Sequence, residues 1–219
     1  MFIKLIKKVM VALLIVPLLF CALEYGFFYF TLKPLIDPMI SMAGLLVSDS
    51  AIDFGDDLDS IYVEQDFTDR GTVPLSEVVI PYVGTYYARI ESPRVGLSVR
   101  LYWGDSLKIL RKGAGQYIGS NLPGFKKPLL IAGHNITTFN PIQNMIVGDL
   151  ITIKTNYGQY IYEVYEIAIK KSMDTEAFNL ERSEEILIMY SCYPFHILRS
   201  HKYDRFIVYG RRISGPDIK

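Results

Sequence analysis

Hydrophobic and polar positions follow three rhythms along this chain, and each rhythm predicts a different kind of structure. The first is an almost unbroken apolar run, VMVALLIVPLLFCALEYGFFYFTL, over residues 9–32, with Glu24 its single charge. About 20 apolar residues suffice for a helix to cross a bilayer. Lys4, Lys7 and Lys8 precede the run, and no basic residue follows until Lys33. The excess of positive charge on the cytoplasmic side then predicts a cytoplasmic basic tail over 1–8, a transmembrane anchor over 9–32, and everything later outside the cell. Tyr25, Phe27, Phe28, Tyr29 and Phe30 suit the outer interface. The run shows no good A-x-A cleavage site of a signal peptide. Phe20, rather than a small residue, precedes Cys21, which disfavours a lipoprotein signal. A single-pass protein of the cell membrane is therefore expected.

The second rhythm, residues 33–79, reads as an acidic linker or accessory segment. PLIDPMISMAGLLV (34–47) is expected to form a short helix lying on the membrane or on the following domain. From Asp49 to Asp69 there are eight acidic residues and no basic one, the pattern of a solvated leader. A calcium site is conceivable there, but the spacing matches no EF-hand loop.

From about residue 80 to 219 the pattern becomes β. YYARIES (86–92) and VRLYW (99–103) read as strands. DSLKILRKG then predicts a short helix capped by Asp105 or Ser106, with Leu107 and Leu110 on one face and Gly113 as its stop. PLLIAGH (128–134) is a continuous apolar run of buried-strand type. Asn140 as cap and Pro141 at the first helical position predict one helical turn in NPIQNM (140–145). DLITIKT (149–155) and QYIYEVYEIAIK (159–170) flank Asn156-Tyr157-Gly158, a hairpin signal. EEILIMYSC (184–192) and YDRFIVYGRRI (203–213) are the last two strands. Eight or so strands with only short helices predict a mainly β domain, a closed barrel or a sandwich.

Composition narrows the field. Lys+Arg and Asp+Glu are equal at 23 each, so no charge excess points to nucleic acid. Two cysteines are too few for a disulfide scaffold, and no Cys/His cluster has zinc spacing. The remaining chemistry gathers at strand ends. His134 closes LLIAGH, Cys192 closes ILIMYSC, and Arg205 opens RFIVYG. Side chains at strand ends are held by the sheet yet open to a groove. A thiol attacks a carbonyl as thiolate, and a nearby cation favours that form. An imidazole can supply the cation and later protonate a leaving amine. A guanidinium can stabilise an oxyanion. Against this stand plainer readings: a cysteine at a strand end is commonly a small buried hydrophobe, and Gly-His is an ordinary turn.

Several stretches in order carry a family resemblance: KGAGQYIGSNLPG (112–124), AGHN (132–135), PIQNMIVGD (141–149), Ser191-Cys192 with CYPF (192–195), and Asp204-Arg205-Phe206-Ile207-Val208. From about Gly84 to Ile213 the chain resembles the sortases, cysteine transpeptidases of Gram-positive surfaces, and most of all those of class D. The resemblance implies a closed eight-stranded sortase-type β-barrel behind the membrane helix. It implies a Leu-Pro-x-Thr-Gly type sorting signal on surface proteins as acyl donor. The acceptor would be an amine of peptidoglycan precursor or pilin. It implies Cys192 as nucleophile, His134 as proton donor to the leaving amine and Arg205 as oxyanion partner. No cofactor is required; calcium stimulates some relatives, and nothing in this sequence demands it.

Asn135 and Ser191 are candidates to orient the imidazole or the substrate backbone, or to make ordinary turn and strand hydrogen bonds. Ser191 replaces the family's usual Thr and keeps its hydroxyl. Gln116 stands where many class D relatives carry His, a change that would alter substrate preference if the position lines the groove. His196 and His201 are the rival bases and are read as loop residues; Arg211 and Arg212 are expected to face solvent or anionic wall polymer. The tyrosines of 157–165 are read as barrel packing. Papain-like, caspase-like and L,D-transpeptidase patterns fit less well in residue order or motif. Two further functions remain open: a catalytically silent anchored binding module, and a hydrolytic cysteine peptidase on the same scaffold.

Overall fold

The computed structural model describes residues 15–18, 20–27, 60–64, 71–195 and 203–219. The chain divides into two compact units, Met1–Ala51 and Ile52–Lys219. In the first, residues 15–18 and 20–27 are helical. Among the described residues no helix is long and apolar enough to cross a membrane. The rest of the expected anchor, the 34–47 piece and most of the acidic leader lie outside the described residues.

The described residues of the second unit hold ten strands: β1 Thr72–Val73, β2 Tyr86–Ser92, β3 Leu97–Trp103, β4 Ala114–Gln116, β5 Leu129–Ala132, β6 Leu150–Thr155, β7 Gln159–Lys171, β8 Ile186–Tyr193, β9 Asp204–Ser214 and β10 Asp217–Ile218. Eight of them close a barrel in the order β2-β3-β4-β5-β8-β9-β7-β6. Closure satisfies every edge, which an open sheet of this length would leave exposed. The neighbours are antiparallel except β3–β4 and β5–β8, which run parallel.

Alternation along the strands sorts the side chains. Ile90, Leu101, Ile131, Ile153, Tyr160, Tyr162, Leu187, Met189 and Val208 fill the interior. Tyr157, Tyr160 and Tyr162 are all buried in that core, as barrel packing requires. A smaller cluster covers the outer face of β5, β8 and β9: Leu130, Ile186, Ile188, Ile207 and Tyr209, roofed by Ala177, Phe178 and Leu180 of the β7–β8 connection. The Tyr209 hydroxyl donates to the Ala177 carbonyl at 2.9 Å, fastening that roof.

Local chemistry explains the connections. Ser106 caps α1, Leu107–Leu110, by accepting from the Ile109 N–H at 3.4 Å. The helix buries Ile109 and leaves Leu107 exposed, which corrects the expected Leu107/Leu110 face; four residues are too few for a repeating helical stripe to form. β4 pairs in parallel with β3 although its sequence, Ala-Gly-Gln, shows no strand pattern. Gly115 permits it, since a Cβ there would meet the Gly104 carbonyl oxygen at 2.5 Å. In the β6–β7 hairpin the Thr155 hydroxyl accepts from Tyr157 and Gly158 N–H at 3.2 and 3.0 Å and donates to the Gly158 carbonyl at 2.9 Å.

Part of the acidic accessory segment packs on the barrel. Ile61 N–H donates to the Tyr86 carbonyl at 3.1 Å, and Tyr62 stacks on Tyr86 with ring centroids 4.9 Å apart. Val73 is buried in the main core, and β1 pairs in parallel with β10.

Candidate active site

The site begins with the register of three strands. Cys192 on β8 lies directly opposite Arg205 on β9. Directly opposed residues of an antiparallel pair have Cβ atoms about 5 Å apart and point to one face. That face is the outer one. Ile186, Ile188 and Tyr190 belong to the outer cluster, and Cys192 continues their alternation; Ile207 and Tyr209 do the same for Arg205.

His134 arrives from the other side. Ala132 of β5 pairs with Tyr190 of β8 in parallel, and the Gly133 N–H donates to the Tyr190 carbonyl at 3.2 Å. His134 follows two residues after the end of β5, in the turn whose Gly133 is bonded to the strand that carries Cys192. Cys192 and Arg205 form a row across β8 and β9, with the Gly-His turn on the β5 side of β8. Cys192 is a free, half-buried thiol, and His134 and Arg205 are half-buried too.

Asn135 and Ser191 hold the row together from behind. Ser191 is buried, points to the barrel interior and donates to the Gly133 carbonyl at 2.7 Å. Asn135, also buried, donates from Nδ2 to the Pro194 carbonyl at 3.0 Å. These two bonds tie the Gly-His turn to both sides of Cys192. The turn is further braced where the Phe139 N–H donates to the His134 carbonyl at 2.8 Å and Asn140 Nδ2 to the Asn135 carbonyl at 3.2 Å. Asn140 spends its amide on that bond and caps nothing; the 3-10 turn it begins, Asn140–Asn144, has no side-chain cap. Residue 133 must be glycine because the Phe139 ring lies 2.5 Å from where a Cβ would stand.

Tyr190, absent from the residues that the motifs single out, shares the face of Cys192. Its ring meets Phe178 edge-on at 5.2 Å between centroids. Burial first, and then the negative charge of Asp105, push its phenol up from the ordinary value, while Arg205 pulls it down. The phenol therefore stays a neutral hydrogen-bond donor beside the thiol. Strand alternation alone could have found it, two residues before Cys192.

Two expectations are corrected. Gln116 does not line a groove: it is fully buried in the barrel, accepts from the Tyr87 hydroxyl and donates to Ser120 Oγ at 3.1 Å and to the Asn121 carbonyl at 2.6 Å. Arg212 does not face solvent. It pairs with buried Glu185 at 3.0 Å and with Asp217, at the end of β8 and β9 away from Cys192. The step of a bulge between Ile161 and Tyr162 in the β7–β9 register lies beside it. Arg211 is exposed and lies 3.6 Å from Glu163. His196, Arg199 and His201 lie outside the described residues. Among the described residues no group of three or more His, Cys, Asp or Glu stands together to hold a metal ion.

The barrel that sets Cys192 opposite Arg205 belongs to a chain whose residues 90–213 match the family described as the Sortase domain. The chain belongs to the sortase family. It is 28% identical over 134 residues to "Sortase D" of Bacillus subtilis (strain 168), covering 61% of this chain and 67% of that protein. Among solved structures it is similar to a Clostridium perfringens Sortase D5 transpeptidase, with 26% identity, a TM-score of 0.54, and coverage of 61% and 82% of the two chains. The fold also matches Clostridium perfringens sortase C solved with the C-terminal cell wall sorting motif, at 22% identity and TM-score 0.55, over 61% and 73% of the chains. Sortase identity with a class D likeness thus accords with the motifs around His134 and Cys192.

Proposed function

We propose that this sortase is a membrane-anchored cysteine transpeptidase working outside the cell, with residues 9–32 as its single span. In this reading Cys192 Sγ attacks the Thr carbonyl of a Leu-Pro-x-Thr-Gly type sorting signal. A C–S bond forms, the C–N bond to Gly breaks, and His134 gives its proton to the departing amine. Arg205 stabilises the oxyanion of the tetrahedral intermediate. An amine of peptidoglycan precursor or pilin then attacks the thioester: a C–N bond forms, the C–S bond breaks, the amine's proton returns to His134 and the thiolate is released. The thioester keeps the acyl group reactive until that amine arrives. No cofactor or calcium ion enters the scheme. Asn135 and Ser191 act at one remove, by fixing the Gly-His turn against β8.

The observation that carries the reading is Cys192 directly opposite Arg205, with Gly133, the neighbour of His134, bonded to Tyr190 on the other flank of β8. The test incubates the full chain in detergent with a fluorogenic sorting peptide, with and without an added amine, and reads product mass. Cleavage with amine incorporated is expected, and its loss in Cys192→Ala. Retained cleavage in Cys192→Ala overturns the mechanism. Water-only product in excess amine points to a hydrolytic peptidase, and no product together with an unreactive Cys192 points to a silent binding module.

A further inference from the structure

The row across the outer face does not end at Arg205. β7 pairs with β9 on the side away from β8, and there Lys170 stands directly opposite Arg205. Cys192, Arg205 and Lys170 therefore occupy one level on three neighbouring strands, β8, β9 and β7. Alternation agrees: Ala168, two residues before Lys170, lies opposite Ile207 and packs in the outer cluster.

Two like charges placed directly opposite each other weaken a sheet pair. Lys170 is exposed, and no described carboxylate pairs with it. The adjacent acid, Asp204, is held by Lys171 at 2.7 Å and sits at the other parity of β9. Asp105 lies on the Tyr190 side of the row. A local rule broken beside a reactive group is the mark of a binding function.

Strands are about 4.8 Å apart, so Lys170 starts two spacings, about 10 Å, from Cys192. An extended peptide covers that in about three residues. We propose that Lys170 selects an anion into the Cys192 cleft: a carboxylate side chain of the acyl-donor peptide within about three residues of the scissile bond. The choice of donor rests on the transpeptidase reading; the pull on an anion near Cys192 does not.

The experiment therefore has two arms, run with the full chain, Lys170→Glu, and Lys127→Glu as a control of equal charge change at an exposed site before β5. In the first, sorting peptides carrying Asp or Asn at each position within three residues of the scissile bond are compared by kcat/KM. At one position or more, Asp is expected to exceed Asn about fivefold in the parent chain, the scale of an exposed ion pair. The ratio should fall below one in Lys170→Glu and hold in Lys127→Glu. In the second, Cys192 is alkylated at low salt, where screening is weak, by iodoacetate and by iodoacetamide, read on its own peptide by mass. The iodoacetate-to-iodoacetamide ratio should drop at least about threefold in Lys170→Glu only, following the same ion-pair scale. An Asp/Asn ratio that Lys170→Glu leaves unmoved overturns the proposal. If no peptide is cleaved, the transpeptidase reading falls, and the alkylation ratio alone decides whether Lys170 draws an anion: unmoved, it overturns the proposal; lowered, it sustains it.

Discussion

At the scale of single residues, the site depends on atoms that never face substrate. Ser191 turns its hydroxyl inward, away from the thiol beside it, and its bond to the Gly133 carbonyl is buried. Removing one partner of a buried hydrogen bond costs about 1–3 kcal/mol, because the other is left without water. Ser191→Ala should therefore lower stability by about 1–2 kcal/mol, read from urea unfolding followed at Trp103, the single tryptophan. Ser191→Thr keeps the donor and should restore most of that loss. The proposed reaction should suffer too, through the position of His134: kcat should fall in Ser191→Ala with KM little changed. An alanine variant as stable as the parent would contradict the account. The same inward turn explains why the sequence could name Ser191 but not its task. Polarity marks a residue, while the face it occupies depends on register. Gln116 misled for that reason; it is a polar side chain on a strand that turns into the barrel and finds three partners there.

At the scale of elements, β8 and β9 carry the candidate site at one end and an ionic clamp at the other. Glu185, just before β8, accepts from the Gly124 and Lys126 N–H groups at 3.1 and 3.0 Å, from the Tyr162 hydroxyl at 2.7 Å and from Arg212 of β9 at 3.0 Å. Six strand residues separate this clamp from Cys192, about 20 Å. Breaking one side of a buried ion pair costs about 3–5 kcal/mol, since the partner charge stays buried. Glu185→Gln should lose about 3 kcal/mol on that scale, discounted because Arg212 is partly wetted. The folded protein should keep the parent rate on a sorting peptide, because the opposed pair Cys192–Arg205 is untouched. Loss of rate at full folding would show that the strands do not behave as two independent ends. The long strands were legible because a period of two, sustained over most of a strand, suits a half-buried sheet and clashes with the helical period. β1, β4 and β10 were not, being two or three residues long with no period to read. Lys170 was hidden for another reason. Counting back from the hairpin fails, because β7 and β9 slip register at Ile161/Tyr162 and again at Val164/Glu166. The candidate residues Cys192, His134 and Arg205 could be named from their motifs in order, while the parallel β5–β8 pairing that brings the Gly-His turn beside β8 is announced by no local pattern.

At the scale of the whole molecule, two carboxylates pin the connections that close the barrel, and both set its response to acid. Asp149 receives both arms of Arg94 and the Ile146 N–H at 2.7 Å, joining the loop after Asn144 to the β2–β3 turn. Arg94 above all, then the Ile146 amide, hold its carboxyl below the usual value against the opposing effect of burial. Asp217 of β10 is held low first by Lys126 at 2.9 Å and then by Arg212. A group whose pKa is depressed on folding stabilises the fold at every pH above its unfolded value, about 3.9 for Asp. That contribution is lost as pH falls through the lower folded value. Between pH 5 and 8 neither group changes charge, so neither contributes to a change of stability in that window. In urea titrations the midpoint should be insensitive to both aspartates above pH 5 and should drop below about pH 4. Asp149→Asn should unfold earlier at pH 7, and its deficit should shrink as pH falls from the unfolded aspartate value through the parent's lowered folded one. A deficit that stays constant down to pH 2 would mean that Asp149 acts by shape and hydrogen bonding alone, and that the charge of its pair with Arg94 contributes nothing.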